Sequence, residues 1–161
     1  MKAAIITAST LGYQGFSEDG SGPVIKRMAE KVGFEVKFMK VLPEDQTVLS
    51  SVMKRLADGG FVDIIFTTGG VGLAETDVVP EATADVIERE LPGIPDAIRA
   101  YGIRYTKRNI LDRSMAGIRN KTLIVNLPAR PKHVNQSLDF IMPELVYTVE
   151  VLTGATQEAM E

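Results

Sequence analysis

The sequence predicts a three-layer α/β sandwich with a mostly parallel central sheet. Short apolar runs of strand length alternate along the chain with segments of helical period. One run, VDIIFTT at residues 62–68, is apolar on both faces, as expected for a central parallel strand. No internal repeat or low-complexity segment interrupts the alternation. These three observations favour one continuous α/β fold.

The chain has the length of one domain. Its 161 residues, 45% of them hydrophobic, are enough for one substantial core and too few for two domains of ordinary size. We therefore expect residues 1–161 to form a single domain, with a tail after Gly154.

The first half of the chain contains two predicted strands and two predicted helices before the run at 62–68. Residues 3–8, AAIITA, predict a buried strand, and a loop rich in Gly and Ser follows it. A helix is expected to begin near Pro23, with Ser21 placed to cap it. Residues 35–42 alternate like a second strand, and residues 47–57 have helical spacing.

The second half is predicted to be mainly helical. Residues 81–91, EATADVIEREL, and residues 95–102, PDAIRAYG, indicate two helices. Residues 121–128, KTLIVNLP, predict another buried strand. A long closing helix is expected at residues 131–152, bent at Pro143.

Composition excludes several kinds of site. Eighteen basic and 21 acidic residues give a net charge of −3, and no basic block offers a footprint for nucleic acid. The absence of cysteine excludes disulfides, thiolate zinc sites and cysteine nucleophiles. The single histidine, His133, is expected at the surface, without an acid–base role. With no signal-type cleavage region and no stretch near the ~20 apolar residues of a membrane span, we expect a cytoplasmic protein.

A glycine-rich segment follows the central strand. Residues 66–77, FTTGGVGLAETD, run from the strand through three glycines to Asp77. Ligands of open α/β sheets bind outside the carboxyl ends of the strands. Glycines there allow close backbone approach and leave amide hydrogens for phosphate oxygens, although a tight turn needing positive φ would look the same. The segment has neither the Lys-Ser/Thr of a P-loop nor the G-x-G-x-x-G of a dinucleotide fold.

Two motifs suggest a family. Residues 68–83, TGGVGLAETDVVPEAT, and residues 126–132, NLPARPK, resemble the molybdopterin adenylyltransferases of molybdenum-cofactor biosynthesis, relatives of the gephyrin G domain and the plant cofactor-insertion protein. That family carries T-G-G-T-G-x-x-x-R-D-x-T-P-E-A and N-L-P-G-x-P-K. Shorter similarities, such as DGSGP at residues 19–23, extend the resemblance over residues 5–152 in the family's order.

The resemblance implies the fold of the molybdenum-cofactor-biosynthesis proteins and a specific reaction. In that reaction AMP passes from ATP to molybdopterin, giving adenylylated molybdopterin and pyrophosphate, with Mg²⁺ offsetting the charge of two anions. Molybdopterin and ATP are then the partners. Two alternatives stay open: a catalytically silent member that binds only pterin or nucleotide, and a nucleotide pyrophosphatase similar to the competence-damage proteins that share this domain.

The resemblance also implies the catalytic carboxylates. Asp77 matches the family's catalytic aspartate and is the expected magnesium ligand, although an aspartate there would also suit a cap for a helix near Pro80. The second carboxylate is Glu44 by gapless alignment, and Glu44 is the second expected metal ligand. Asp45 is the chemically closer match one position later, so both stay open, and both also suit a helix N-terminus.

The remaining implied residues bind nucleotide or pterin. They are Thr68, Gly69, Gly70, Val71 and Gly72 of the glycine segment, Asp19 and Ser21 on the pterin side, and Arg113, Asn126, Pro128 and Lys132.

The chain departs from the family pattern at five of these motif positions. Val71 and Val79 replace threonines, and Thr76 replaces the arginine before the aspartate. Asp112 replaces the serine of an L-S-R segment, and Ala129 replaces the glycine of N-L-P-G. Lost hydroxyls and a lost guanidinium each remove a donor for phosphate. These departures keep the silent alternative open.

The resemblance further implies a homotrimer. Four apolar positions of the closing helix are expected to exceed the needs of one core face and to lie at a subunit interface: Leu138, Ile141, Leu145 and Val149.

Overall fold

A six-stranded sheet forms the centre of the computed structural model, which describes residues 1–156. Its strands are β1 (Lys2–Ala8), β2 (Glu35–Leu42), β3 (Ile64–Thr68), β4 (Arg89–Glu90), β5 (Ala116–Arg119) and β6 (Thr122–Leu127). Their order across the sheet is β2-β1-β3-β6-β5-β4. The first four strands in this order are parallel, while β5 runs antiparallel to both β6 and β4. The predicted mostly parallel sheet is confirmed.

Helices cover both faces of the sheet. They are α1 (Thr10–Tyr13), α2 (Gly22–Lys31), α3 (Gln46–Asp58), α4 (Val79–Ala84), α5 (Gly93–Gly102) and α6 (Pro131–Thr153), with a 3-10 helix at Lys107–Leu111. Buried residues of α2, α5 and α6 pack on one face, and those of α3 and α4 on the other. Alternation along β1 sends Ile5 to the first core and Ile6 to the second, which explains why the strand is apolar on both faces.

The helix predicted at residues 81–91 is wrong in its second half. Helix α4 ends at Ala84, and β4 pairs with β5 through Arg89 opposite Ile118. The N–H groups of Glu88 and Leu91 donate to carbonyls of the β5 region. These distant backbone partners outweigh the local helical pattern of the segment.

Ser21 occupies the N-cap position of α2 as predicted, but its side chain does not cap the helix. Its hydroxyl donates instead to the Ala129 carbonyl at 2.6 Å. The side-chain acceptor at this helix start is Asp19, whose Oδ1 accepts from the N–H groups of Ser21 at 3.1 Å and Gly22 at 2.8 Å. Its Oδ2 accepts from the Thr7 hydroxyl at 2.8 Å, which ties α2 to the end of β1.

Helix α6 runs unbroken past Pro143, and Gly154 ends it in the left-handed region at φ 77°. Its four apolar residues expected at a subunit interface, Leu138, Ile141, Leu145 and Val149, are at most 5% exposed and belong to the core of this chain. That assignment is wrong, because the sheet and its neighbouring helices already bury them. The predicted tail falls largely on residues 157–161, outside the described part.

Across residues 1–156, no helix combines the length and the apolar content needed to cross a membrane.

Candidate functional site

The candidate site is a cavity of about 390 Å³ at the carboxyl edge of the parallel strands. It lies between the loop after β3, the 3-10 helix and the segment that joins β6 to α6. Five of the predicted residues line it: Gly70, Val71, Gly72, Asp77 and Pro128. The position agrees with the rule that α/β proteins bind ligands outside the carboxyl ends of their strands.

Two glycines of the loop are required by its backbone. Gly69 and Gly70 have φ of 84° and 67°, in the left-handed region. A Cβ on Gly69 would lie 2.7 Å from the Ala8 carbonyl oxygen, and one on Gly70 would lie 2.6 Å from Cγ2 of Val79. The tight-turn interpretation is therefore correct for these two residues, and it is compatible with ligand binding.

The loop has free donors and occupied acceptors. The carbonyl of Gly70 accepts from Val79 N–H at 3.1 Å, that of Val71 from Arg113 N–H at 2.9 Å, and that of Gly72 from Arg113 Nε at 2.8 Å. Within residues 1–156, the N–H groups of Gly70, Val71 and Gly72 donate no hydrogen bond. Unpaired N–H groups lining a cavity form an anion site.

Val71 contributes only its backbone to this site. Its side chain is 5% exposed and packs with Val79 in the core between the sheet and α3 and α4. The threonine hydroxyls that the family has at these two positions are thus replaced by apolar packing. The backbone donors of the loop do not depend on them.

Arg113 holds the loop in place. Besides its bond to Gly72, its Nη2 donates to the Asp77 carbonyl at 2.6 Å, and its Nη1 donates to the Glu81 carboxylate. This hydrogen bond with Glu81 raises the pKa of Arg113 and lowers the pKa of Glu81. Arg113 was predicted to bind ligand, but its guanidinium is occupied by the protein and it does not line the cavity.

Asp77 lines the cavity and has one free oxygen. Its Oδ2 accepts from Ala74 N–H at 2.9 Å, and within the described chain its Oδ1 has no partner. The alternative that Asp77 caps a helix is wrong, because the N-cap of α4 is Val78 and no side chain caps it. A free carboxylate oxygen beside anion donors suits Mg²⁺, which typically binds one or two carboxylates together with substrate phosphates.

Glu44 and Asp45 have separate structural roles. Glu44 Oε1 accepts from Thr10 N–H at 3.0 Å, and the Thr10 hydroxyl accepts from Glu44 N–H at 3.0 Å. Asp45 caps α3 by accepting from Val48 N–H at 3.0 Å, as its alternative interpretation predicted. Neither lines the cavity, and in the described part of the chain no three acidic or histidine residues cluster as a metal site.

Asn126 is buried beneath the site rather than exposed to it. Its side chain is 1% exposed, and Nδ2 donates to the hydroxyls of Thr67 and Thr83, both at 2.9 Å. Its Oδ1 accepts from Met115 N–H at 2.9 Å. Both ends of the amide are used, so the structure does not bring Asn126 to the cavity.

Two further predicted residues support the segment after β6. The Thr68 hydroxyl donates to the Pro128 carbonyl at 2.5 Å, next to the Ala129 carbonyl that Ser21 holds. Lys132 is exposed and does not line the cavity.

Sequence reasoning missed much of the opposite wall. The polar residues of the cavity wall that the sequence did not indicate are Thr106, Arg108, Asn109, Asp112, Arg130 and His133, and the apolar ones are Leu73, Leu111 and Ala129. The 3-10 helix reaches the cavity because Asn109 Nδ2 donates to the Arg99 carbonyl of α5 at 3.2 Å, a contact with no local sequence signal. Arg130 lies within the N-L-P motif and could have been chosen in place of Lys132.

The comparisons with known proteins agree with this fold. A family described as probable molybdopterin binding domain matches residues 4–147. The molybdopterin adenylyltransferase of Helicobacter pylori (strain ATCC 700392 / 26695) is 32% identical over 159 residues, covering 98% of this chain and 90% of that protein.

Solved structures give the same result. The molybdopterin biosynthesis enzyme MoaB of Thermus thermophilus superposes with a TM-score of 0.87 at 35% identity, covering 95% of this chain and 96% of that one. A molybdopterin biosynthesis protein of Mycobacterium abscessus has a TM-score of 0.89 at 30% identity, with coverage of 96% and 97%. The family predicted from the two motifs is confirmed. The chain therefore belongs to the molybdopterin-binding domain family that includes the molybdopterin adenylyltransferases.

Proposed function

We propose that this chain is a molybdopterin adenylyltransferase that acts as a single domain in the cytoplasm. A terminal phosphate oxygen of molybdopterin attacks the α-phosphorus of ATP, the bond from that phosphorus to the β-phosphate oxygen breaks, and pyrophosphate leaves. The observation that carries the proposal is the loop at residues 70–72, whose carbonyls are all bonded while its N–H groups are unpaired beside the cavity. Such a loop favours anions, and both substrates are phosphates.

The residues of the chain act mainly by positioning. The loop N–H groups hold phosphate oxygens, and Arg113 keeps those groups oriented by fixing two carbonyls of the same loop. Asp77 would hold Mg²⁺ through its free Oδ1. Neither Glu44 nor Asp45 lines the cavity, so the chain would supply one carboxylate and the substrate phosphates would supply further oxygen ligands. When bound, Mg²⁺ offsets the negative charge of the phosphates.

The silent alternative requires that the replaced polar residues were essential. The valines at 71 and 79 are core residues, and the donors of the loop are backbone groups. No feature of the structure favours this alternative. The pyrophosphatase alternative differs in using water as the acceptor, which a substrate-omission control can detect.

The test is incubation with ATP, Mg²⁺ and molybdopterin, followed by detection of adenylylated molybdopterin. AMP formed when molybdopterin is omitted would instead indicate the pyrophosphatase.

Asp77→Asn keeps the acceptor for Ala74 N–H but loses the charge, so turnover should fall by orders of magnitude while the melting temperature hardly changes. Asp45→Asn is the matched control, since asparagine also caps α3. Equal turnover in Asp77→Asn and wild type would remove Asp77 from the mechanism.

We also propose that the protein is a homotrimer, with an interface other than the one expected from the sequence. Exposed hydrophobic residues of α6 and of the segment after α5 support this: Ile103 is 43% exposed, Tyr105 48% and Phe140 42%. Phe140 stacks on Tyr101 with ring centroids 4.2 Å apart, which fixes the orientation of the Phe140 ring in this patch. Light scattering at micromolar concentration should give three times the monomer mass, and a monomer mass would contradict the proposal.

A further inference from the structure

Two arginines that line the cavity have guanidinium groups without a partner in the described part of the chain. Arg108 lies on the 3-10 helix and Arg130 directly before α6. Within residues 1–156, neither guanidinium makes a hydrogen bond or an ion pair. By contrast, Arg99, Arg113 and Arg119 each bind at least one carboxylate and one carbonyl.

The carboxylates of the cavity do not neutralise these two arginines. Asp77 accepts from a backbone N–H, and Asp112 accepts from Ser114 N–H at 2.8 Å. Asp112 also lies 3.8 Å from Nη1 of Arg99, which belongs to α5. Arg108 and Arg130 therefore add two uncompensated positive groups to a cavity whose glycine loop already offers free N–H donors.

We propose that Arg108 and Arg130 bind the polyphosphate part of the nucleotide, the two phosphates that leave as pyrophosphate. Each guanidinium can bind phosphate through two parallel N–H bonds, so two arginines on separate segments suit an anion with two phosphate groups. The proposal rests on the proposed function for the identity of the nucleotide. The anionic character of the ligand is argued from the cavity itself, from two unpaired guanidinium groups and the free N–H groups of the loop.

The test is calorimetric binding of inorganic pyrophosphate to the full chain. Arg108→Gln and Arg130→Gln should each weaken binding by roughly tenfold or more, because each removes a charge-assisted contact. Arg108→Lys and Arg130→Lys keep the positive charge but not the paired N–H donors of the guanidinium, so they should lose less pyrophosphate affinity than the glutamine variants. Lys107→Gln is the matched control, since Lys107 is an exposed cation beside Arg108 that does not line the cavity. Its affinity should equal that of wild type.

Three results would overturn the proposal: no binding of pyrophosphate by wild type, unchanged affinity in either arginine-to-glutamine variant, or equal weakening in Lys107→Gln. The last would mean that only the overall charge matters. Thermal unfolding of every variant should match wild type, because neither guanidinium has an internal bond to lose.

The outcome is separable from that of the proposed function. Arginine-dependent pyrophosphate binding by a protein that makes no adenylylated molybdopterin would leave this inference standing and reject the reaction. Adenylyl transfer by a protein whose pyrophosphate affinity is unchanged in both arginine variants would leave the reaction standing and reject this inference.

Discussion

Replacing Asn126 with alanine separates a structural residue from a ligand-binding one. The sequence motif predicts that Asn126 contacts nucleotide or pterin, whereas the structure uses its amide to join three segments under the site. The change removes two donated bonds, to Thr67 and Thr83, and one accepted bond, from Met115 N–H.

The magnitude follows from these three buried bonds. Each contributes about 1 to 1.5 kcal/mol net, so the free energy of unfolding should fall by about 3 to 4.5 kcal/mol. For a domain of this size, about 1 kcal/mol corresponds to roughly 2–4 °C in melting temperature. The expected decrease is therefore about 10 °C.

The assay is thermal and urea unfolding of wild type and variant at one protein concentration, since the stability of an oligomer depends on concentration. Asn135→Ala is the matched control, because Asn135 is a half-buried asparagine of α6 whose side chain makes no hydrogen bond within the described chain. It should change stability by less than about 0.5 kcal/mol. Thr83→Val, which removes one of the three bonds, should cost about 1 kcal/mol.

The reasoning would be refuted by an Asn126→Ala protein that has the melting temperature of wild type yet no longer binds ATP or pyrophosphate. Asn126 would then be a ligand residue, as the motif alone predicts, and the buried network would contribute nothing to stability.

Three further predictions concern the residues around the loop. Gly72→Ala places a Cβ 2.8 Å from Oδ2 of Asp77, so the Asp77 carboxylate must move and adenylyl transfer should fall. The melting temperature should change little, because Gly72 does not have a positive φ. Unchanged turnover would contradict this. The hydrogen bond with Arg113 holds the pKa of Glu81 below its ordinary value of 4.5. The pair therefore stabilises the fold fully above pH 4.5, and this stabilisation is lost as the pH falls through the lowered pKa. The stability difference between wild type and Glu81→Gln in urea unfolding should thus be largest near neutral pH and vanish in acid, and a pH-independent difference would count against the ion pair. Asp19→Ala should lose about 1 kcal/mol through the cap of α2 while Asp19→Asn loses little, and equal stabilities would show that the cap contributes nothing.

The sequence by itself determined the elements whose signal is local. Strands β1, β3 and β6 are apolar runs buried on both faces, and that pattern is sufficient to identify them. The glycine loop and Asp77 could likewise be placed at the carboxyl edge, because the order of strand and loop along the chain fixes that position. The two motifs are also sufficient to identify the family.

The tertiary structure alone decided what each polar residue of the site does. Asn126, Arg113 and Ser21 look like ligand residues in the sequence, but partners 11 to 108 positions away occupy their side chains. The same holds for β4, whose two residues pair with β5, and for the 3-10 helix that brings Arg108 to the cavity. The type of a residue determines which hydrogen bonds and ion pairs its side chain can make. Only the fold brings together the distant groups that make those bonds or leave them free for a ligand.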